Sequence, residues 1–414
     1  MNSHFHARFI ALGFALLMAT AAPAQVTQQQ PAVASVSAPT VRIMRLPAGG
    51  VQPEIVSDGA GNVYVVYFTG DAKAGNLMYM KSSDGGATFS TPIRVNSIDS
   101  SALAVGSVRG SQLALGRGGR IHVVWNASGA VTMRDPQDKS RSETPLLYTR
   151  LSDDGSAFEP ERNIIGSHFG LDGGAAVAAD RNGRVYVAWH APANANSHGE
   201  QDRRVWMAAS TDDGTTFGAE KAIDVQSRGC CACCGLTAFC SPGERGDVHV
   251  LYRTAEQVVH RDMHLLISRD GGATFSQTAV DPWEAGQCVM STAAFVADES
   301  KSSGVWAAWE TRGTARLARL PASDNDAAKA LEIIKPAGQG DNAKHPVLAV
   351  NDRGEMLMAW TEGTAWARGG SVAWQIYDRN GKAMLEKPGS AADLPVWGLV
   401  AAFAAPEGGF VIVY

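Results

Sequence analysis

A dense group of cysteines is the feature of this sequence with the clearest chemical potential. Five of the six cysteines in the chain fall within the string CCACCGLTAFC. They are Cys230, Cys231, Cys233, Cys234 and Cys240, and Cys288 follows later. Thiols grouped this closely can form disulfides, bind a soft metal or exchange disulfides with other molecules.

The spacing of the cysteines leaves these three interpretations open. Cys230 with Cys233 and Cys231 with Cys234 both have C-x-x-C spacing, which is half of a zinc signature and also suits copper. An even number of cysteines favours disulfides, and a bridge from Cys288 to the cluster would join two loops. An exposed, strained pair would instead favour redox exchange.

The N-terminus predicts export, and therefore a compartment in which disulfides persist. A weakly basic start is followed by the short apolar run FIALGFALLMATA and by the small-residue cleavage motif APA, so we expect a signal peptide over residues 1–24. Residues 25–40 are rich in Gln, Pro and Ala and predict a disordered tether. The sequence thus predicts a periplasmic or secreted protein without a membrane span after cleavage.

A repeat along the rest of the chain predicts how the cysteines are positioned. The string SSDGGATF at Ser82 returns as STDDGTTF at Ser210 and SRDGGATF at Ser268, with a less complete copy, LSDDGSAF, at Leu151. A glycine-containing turn followed by an alternating apolar run, such as DRNGRVYVAWH, lies upstream of each copy. Strands with these turns between them indicate four-stranded antiparallel units.

The spacing of these units predicts an all-β fold, a β-propeller. Units begin near residues 54, 112, 174, 236, 292, 346 and 399, at intervals of 53 to 62 residues. Four strands at such a period are typical of propeller blades. Seven blades are favoured, and six remain an alternative if the final hairpin belongs to the sixth blade. We expect residues 41–414 to form one domain that is closed by an N-terminal strand in TVRIMRLP.

The repeated Ser-x-Asp-x-Gly-x-Thr-Phe turn resembles the Asp-box, or BNR-repeat, of the sialidase-like propeller superfamily. Its carboxylates can bond nearby backbone amides, so we interpret them as structural. They are Asp84, Asp153, Asp212 and Asp270. The resemblance implies that these turns lie on the face opposite the active site.

If the resemblance extended to exo-sialidase chemistry, the site would need three arginines, a tyrosine nucleophile, a glutamate and an aspartate. The Arg-Ile-Pro signature of the family is absent, since VRIMR is the nearest string. The sequence offers candidates for the other roles but no recognisable set. They are Arg109, Arg253, Arg261, Tyr252, Glu310 and Asp262.

Alternating strand direction sorts the loops onto two faces. We call the face with the Asp-containing turns the turn face, and the face with the second-to-third loops and the crossovers between blades the mouth face. All the cysteines except Cys240 should lie on the mouth face, close to loops with further candidate ligand-binding residues. These residues are His168, His190, His260 and Trp283.

Ligand binding at the mouth face is the function that the sequence favours, with a glycan, a peptide, a metal such as Cu or Zn, or an envelope protein as the ligand. A glycoside hydrolase of exo-sialidase type and a structural envelope scaffold are the alternatives. The net charge of −5 and the scattered basic residues argue against nucleic-acid binding.

Overall fold

The computed structural model describes residue 1 and residues 38–414, apart from residues 107, 109, 136–138, 195, 198, 243–245, 299–303 and 322–330. The predicted signal peptide and most of the predicted tether therefore lie outside the described residues. Strands alternate with short turns, and the helical segments are 3-10 turns at Pro47–Gly49, Arg117–Gly119, Glu200–Asp202 and Pro406–Gly408.

The first half of the described chain contributes the strands β1 Val41–Met44, β2 Val51–Ser57, β3 Val63–Asp71, β4 Ala74–Ser82, β5 Ile93–Arg94, β6 Gln112–Leu115, β7 Ile121–Asn126, β8 Met133–Arg134, β9 Ser142–Glu143, β10 Leu146–Arg150, β11 Arg162–Asn163, β12 Ala176–Ala179, β13 Val185–Pro192 and β14 Arg203–Ser210. The second half contributes β15 Lys221–Ala222, β16 Thr237–Cys240, β17 Val248–Arg253, β18 Met263–Ser268, β19 Ser276–Asp281, β20 Ala294–Asp298, β21 Gly304–Thr311, β22 Thr314–Arg319, β23 Lys344–Val350, β24 Met356–Glu362, β25 Gly370–Tyr377, β26 Gly389–Leu394, β27 Ala401–Ala404 and β28 Phe410–Val413.

These strands form the seven blades of a β-propeller, which confirms the all-β prediction and the favoured blade count. Five blades have four strands each: β2 to β5, β6-β7-β10-β11, β12 to β15, β16 to β19 and β23 to β26. The fifth blade has three described strands, β20 to β22, and a single bridge from Leu317 to Ile334. The small hairpin β8-β9 is inserted in the second blade.

The N-terminal strand closes the ring, as its sequence predicts. Strand β1 pairs with β28, and β28 pairs with β27, so the seventh blade combines both ends of the described chain. The β1–β28 pairing is parallel. A hairpin would require the two strands to be antiparallel, but β1 and β28 lie at opposite ends of the described chain and no hairpin joins them. The closure leaves no open edge between the first and the seventh blade.

Tryptophans at the ends of second strands pack between the blades. Trp125, Trp189, Trp309 and Trp360 are all fully buried. The Trp309 indole donates to Asp281 Oδ2 at 2.7 Å, and the Trp189 indole donates to the His168 carbonyl at 3.0 Å. Each bond lets an indole N–H remain satisfied inside an apolar interface.

In the three full copies of the repeated turn, a serine hydroxyl donates a hydrogen bond to the aspartate carboxylate of the same turn. In the first, the Asp84 carboxylate accepts from the Ser82 hydroxyl at 2.7 Å and from the Thr88 amide at 2.9 Å. These bonds, led by the one from the Thr88 hydroxyl, lower the pKa of Asp84 to about 2. Asp212 and Asp270 accept the equivalent bonds in their own turns.

The copy at Leu151 departs from the expected pattern by one residue. Here the Ser152 hydroxyl donates to Asp154 Oδ1 at 2.6 Å, and Asp154 also accepts from the Ser156 amide. Asp153, which we assigned to the structural position, instead pairs with Arg120. The shift follows from the residue types, since the repeat has leucine at its first position and the nearest serine lies one residue later.

Candidate functional site

The two faces are separated as the alternation of strands requires. On the turn face, the Gly85 amide bonds to the Gly61 carbonyl at 2.9 Å, which joins the first repeated turn to the β2–β3 turn. On the mouth face, the crossover that carries the cysteines joins the next crossover through a bond of 3.1 Å from the Gly235 amide to the Ser291 carbonyl. The cysteine-bearing loops therefore meet beside the central channel, away from the Asp-containing turns.

Three cysteine sulfurs converge at this point in a group that we call the cysteine triangle, formed by Cys231, Cys233 and Cys234. The Sγ atom of Cys231 lies 3.3 Å from that of Cys234 and 3.5 Å from that of Cys233. All three sulfurs lie within 4.8 Å of one another. The turn of the loop that brings them together is closed by a bond from the Cys234 amide to the Cys231 carbonyl at 3.3 Å.

Cys288 adds a fourth sulfur from the following crossover. It is exposed and directly precedes Val289, whose side chain packs with Cys231 and Cys234. The neighbouring thiols of Cys231, Cys234 and Cys288 lower the pKa of Cys233, while Cys233 raises the pKa of Cys288. Cys233 is consequently the sulfur on which negative charge is best stabilised.

The other two cysteines lie outside this group. The Cys230 thiol is buried between the third and fourth blades and lies 3.7 Å from the Arg203 carbonyl. Cys240 ends β16 opposite Val248, at the turn face. All six cysteines are described as free thiols. The Cys230 thiol lies beside the Arg203 carbonyl and outside the group formed by the other three sulfurs, so Cys230 and Cys233 do not form a C-x-x-C pair.

Two buried arginines border the cysteine triangle on the side of the protein core. The Arg253 guanidinium lies 5.0 Å from the centre of the Trp283 ring and donates to the Arg261 carbonyl at 2.7 Å. It also lies 3.8 Å from the buried carboxylate of Glu310. The Arg261 Nε and Nη1 atoms are buried without a hydrogen-bonding partner among the described residues. Both arginines interact electrostatically with the sulfurs, Arg253 with Cys234 and Arg261 with Cys231 and Cys233.

Glu200, in the β13–β14 loop, fixes the cysteine loop to its surroundings. Its Oε1 atom accepts from the Ala232 amide at 2.6 Å, and its Oε2 atom pairs with Arg261 Nη2 at 2.5 Å. The Glu200 carbonyl accepts from the Cys230 amide at 3.0 Å. One residue of the third blade thus positions the backbone of the cysteine loop and an arginine beside it.

His190 and Gly173 allow the cysteine loop to lie close to the third blade. The His190 ring is buried, with Nε2 3.2 Å from the Cys234 carbonyl and Nδ1 within 3.2 Å of the Arg203 guanidinium. A Cβ atom at Gly173 would lie 2.2 Å from the Cys234 carbonyl oxygen. A side chain at that position would therefore displace the loop.

The remaining predicted ligand-binding residues are held in local contacts. His168 is stacked on Trp206 and bonds to Glu220 Oε1 at 2.5 Å, so it supports the crossover into the third blade. His260 is half-buried, with Nδ1 4.0 Å from Glu284 Oε1. Trp283, as noted, covers Arg253 and packs at the edge of the cysteine triangle.

Of the candidates for sialidase chemistry, Arg253 contacts both Arg261 and Glu310, whereas Tyr252 and Asp262 are held by other partners. Tyr252 and Arg253 are neighbours on β17, and their side chains point to opposite sides of the sheet. The Tyr252 hydroxyl is buried and accepts from Gln277 at 2.8 Å. The Asp262 carboxylate binds the Trp283 amide at 2.7 Å, and Arg109 lies outside the described residues.

The central channel holds a second polar site that the sequence analysis missed. This channel, about 560 Å³ including its open mouth, is bordered by the first residues of the seven inner strands, including Gly235 directly after the cysteine triangle. Six polar side chains line it: Gln52, Glu54, Ser111, Gln112, Thr292 and His345. The sequence feature that could have revealed this polar site is the pair of dipeptides Gln52-Pro53 and His345-Pro346, since proline within a strand marks an edge or a bulge.

Both dipeptides form β-bulges, and both residues before proline adopt positive φ. The φ angle is 53° at Gln52 and 52° at His345, and the strand register shifts at each position. Bulges of this kind redirect side chains next to binding sites. Glu54, which follows the first bulge, accepts from Gln112 Nε2 at 2.7 Å, and burial raises its pKa to about 7.

Replacing Glu54 with glutamine should change how stability depends on pH. The folded-state pKa of Glu54, about 7, lies above the usual value of 4.5. Folded protein therefore binds more protons between these two values, and its stability decreases as pH rises through them. We expect Glu54→Gln to raise the melting temperature at pH 8 and to leave it nearly unchanged at pH 4, below both pKa values. Thermal unfolding of both proteins across this range measures the effect, and equal shifts at both pH values would contradict it.

Known proteins resemble this chain in structure, although no family model or curated sequence matches it. A protein of unknown function from Dyadobacter fermentans has a similar structure, with a TM-score of 0.52, 16% identity, and coverage of 82% of this chain and 98% of the other. The similarity is one of fold, a β-propeller of seven blades.

Structures of carbohydrate-active propellers are also similar. An α-L-arabinanase from Penicillium chrysogenum, complexed with arabinobiose, has a TM-score of 0.51 and 11% identity, over 80% of this chain and 94% of the other. A sialidase from Trypanosoma rangeli has a TM-score of 0.48 and 14% identity, over 77% of this chain and 52% of the other. At these identities the similarity shows the fold alone.

In the part of the chain that the structure describes, none of the helices combines the length and the apolar character needed to cross a bilayer.

Proposed function

We propose that this protein is an exported propeller that binds one thiophilic metal ion, Cu(I) or Zn(II), through Cys231, Cys233 and Cys234. The observation that carries the proposal is the convergence of three sulfurs within 4.8 Å on the mouth face. Thiolates are the protein ligands that select soft and borderline metals such as Cu(I) and Zn(II). Export follows from the predicted signal peptide.

The size of the cysteine triangle supports metal binding. Sulfurs around a tetrahedral zinc ion, with bonds of about 2.3 Å, lie about 3.8 Å apart. The separations of 3.3 and 3.5 Å between the sulfurs need to widen only slightly to admit an ion. A disulfide would use two of the three sulfurs and leave the third beside it without a covalent partner.

The surroundings of the cysteine triangle also suit a metal–thiolate centre. Three thiolates around one metal ion carry a net negative charge, which the guanidinium groups of Arg253 and Arg261 offset. The apolar side chains of Ala285 and Val289 pack against the sulfurs. The apolar neighbours limit the access of water, and the guanidinium charges favour the deprotonated sulfurs that bind a metal.

Metal analysis and thiol titration of the same sample test this function. We expect anaerobically purified protein to hold close to one equivalent of Cu(I) or Zn(II) and to show free thiols after chelation. Loss of the metal on chelation should expose thiols to a titrating reagent, because bound thiolates react slowly. Protein that lacks metal under all loading conditions and shows oxidised cysteines would overturn the proposal in favour of disulfides.

A further inference from the structure

We propose that Cys288 is a transfer ligand, through which the metal ion enters and leaves the cysteine triangle by exchange with a thiol-bearing donor or acceptor. This inference rests on the proposed metal site and assigns a separate role to the fourth sulfur. It concerns the kinetics of metal exchange, whereas the cysteine triangle determines the affinity.

The position of Cys288 differs from that of the three other sulfurs. Cys231 and Cys234 are buried, at 1% and 3% exposure, whereas Cys233 is half-buried and Cys288 is exposed. Exposure of the sulfurs therefore increases from the inside of the site to the solvent. Cys288 directly precedes Val289, whose side chain packs with Cys231 and Cys234, so the crossover that carries Cys288 lies against the cysteine triangle.

The two crossovers that carry these sulfurs are fixed differently. The cysteine loop is bound by Glu200, by the Arg253 carbonyl, which accepts from the Cys231 amide at 2.9 Å, and by His190. Residues 286–288 of the other crossover are exposed. The Ala285 amide binds the Val259 carbonyl and Lys344 binds the Val289 carbonyl, so this exposed segment holds Cys288 beside the cysteine triangle and within reach of a thiol in solvent.

The exchange needs no oxidant or reductant. As the Cys288 sulfur bonds to the metal, it releases its proton to solvent, and one metal–sulfur bond to the incoming ion's previous thiol ligand breaks. That thiol takes up a proton, so charge and electrons balance. The ion would then move inward as the thiol of Cys231 or Cys234 releases its proton and bonds to the metal, while the metal–sulfur bond to Cys288 breaks and Cys288 takes up a proton. Sequential ligand exchange of this type avoids a bare, poorly coordinated ion.

Exchange kinetics of the Cys288→Ser variant test the inference. The full-length protein is loaded with Cu(I), and transfer to excess glutathione, a thiol acceptor, is followed over time. We expect the variant to transfer the ion at least about 10-fold more slowly than the wild type, because hydroxyl oxygen is a poor ligand for Cu(I). Its equilibrium affinity, measured by competition with a chromogenic chelator, should change less than about 3-fold.

The outcomes separate the failure of this inference from that of the metal site. Wild-type protein that binds no Cu(I) would overturn the proposed function itself. Wild-type protein that binds Cu(I), together with an unchanged transfer rate in Cys288→Ser, would overturn only the transfer role. A loss of affinity in Cys288→Ser as large as that in Cys231→Ser would show that Cys288 is a permanent ligand, which also overturns it. Cys240→Ser is the matched control, because that cysteine lies at the turn face.

Discussion

Cys231→Ser is expected to weaken metal binding by more than about 100-fold, since loss of an outer-shell partner alone costs about 10- to 100-fold. Cys231 is the buried member of the triangle that contacts both other sulfurs, at 3.3 and 3.5 Å. Serine is nearly isosteric but offers an oxygen, which is a poor ligand for a soft ion. Competition with a chelator of known affinity measures the change.

The adjacent cysteine provides a matched control for this experiment. Cys230 is also buried on the same loop, yet its thiol lies beside the Arg203 carbonyl and outside the triangle. Cys230→Ser should therefore retain wild-type metal affinity. If both variants lost the metal equally, the effect would come from the folding of the loop and not from loss of a ligand.

Arg253→Met is expected to destabilise the protein by about 3–5 kcal/mol at neutral pH, the cost of leaving one partner of a buried pair without its counter-charge. The Arg253 side chain is 1% exposed, and the Glu310 side chain is 0% exposed. Burial already raises the pKa of Glu310, and the charge of Arg253 opposes that increase. Denaturant unfolding measures the loss of stability.

The pH dependence of this variant gives an independent check. Without Arg253 the folded-state pKa of Glu310 rises further above its unfolded value. The destabilisation should therefore be largest above that pKa and decrease as pH falls, when the carboxyl group becomes protonated. The double variant Arg253→Met/Glu310→Gln should recover about half or more of the lost stability, since the unpaired charge is absent. An equal loss in the single and double variants would contradict the charge account.

Much of the fold was predictable because it depends on local patterns that repeat. Each blade contains an alternating apolar run and a turn with Asp and Gly, so the spacing alone indicated seven blades. The parallel pairing of β1 with β28 was not predictable in its direction, because it joins segments from opposite ends of the described chain. The shift from Asp153 to Asp154 was missed since it depends on which serine reaches the carboxylate.

The candidate site was predictable in its position but not in its composition. The order of strands and loops placed all the cysteines except Cys240 on the mouth face, and the bond from the Gly235 amide to the Ser291 carbonyl agrees with the two crossovers being adjacent. Spacing could not show that Cys230 points away from the other thiols, because that depends on the conformation of a loop. The role of Glu200 was also hidden, since it comes from a different blade.

The measurement that tests the central claim most directly is the metal-edge X-ray absorption spectrum of the loaded protein. We predict a first shell of three sulfur atoms at about 2.3 Å, and no shell dominated by nitrogen or oxygen. In Cys230→Ser the spectrum should be unchanged. A shell of oxygen and nitrogen ligands in wild-type protein would show that the ion binds elsewhere and would contradict the proposed thiolate centre.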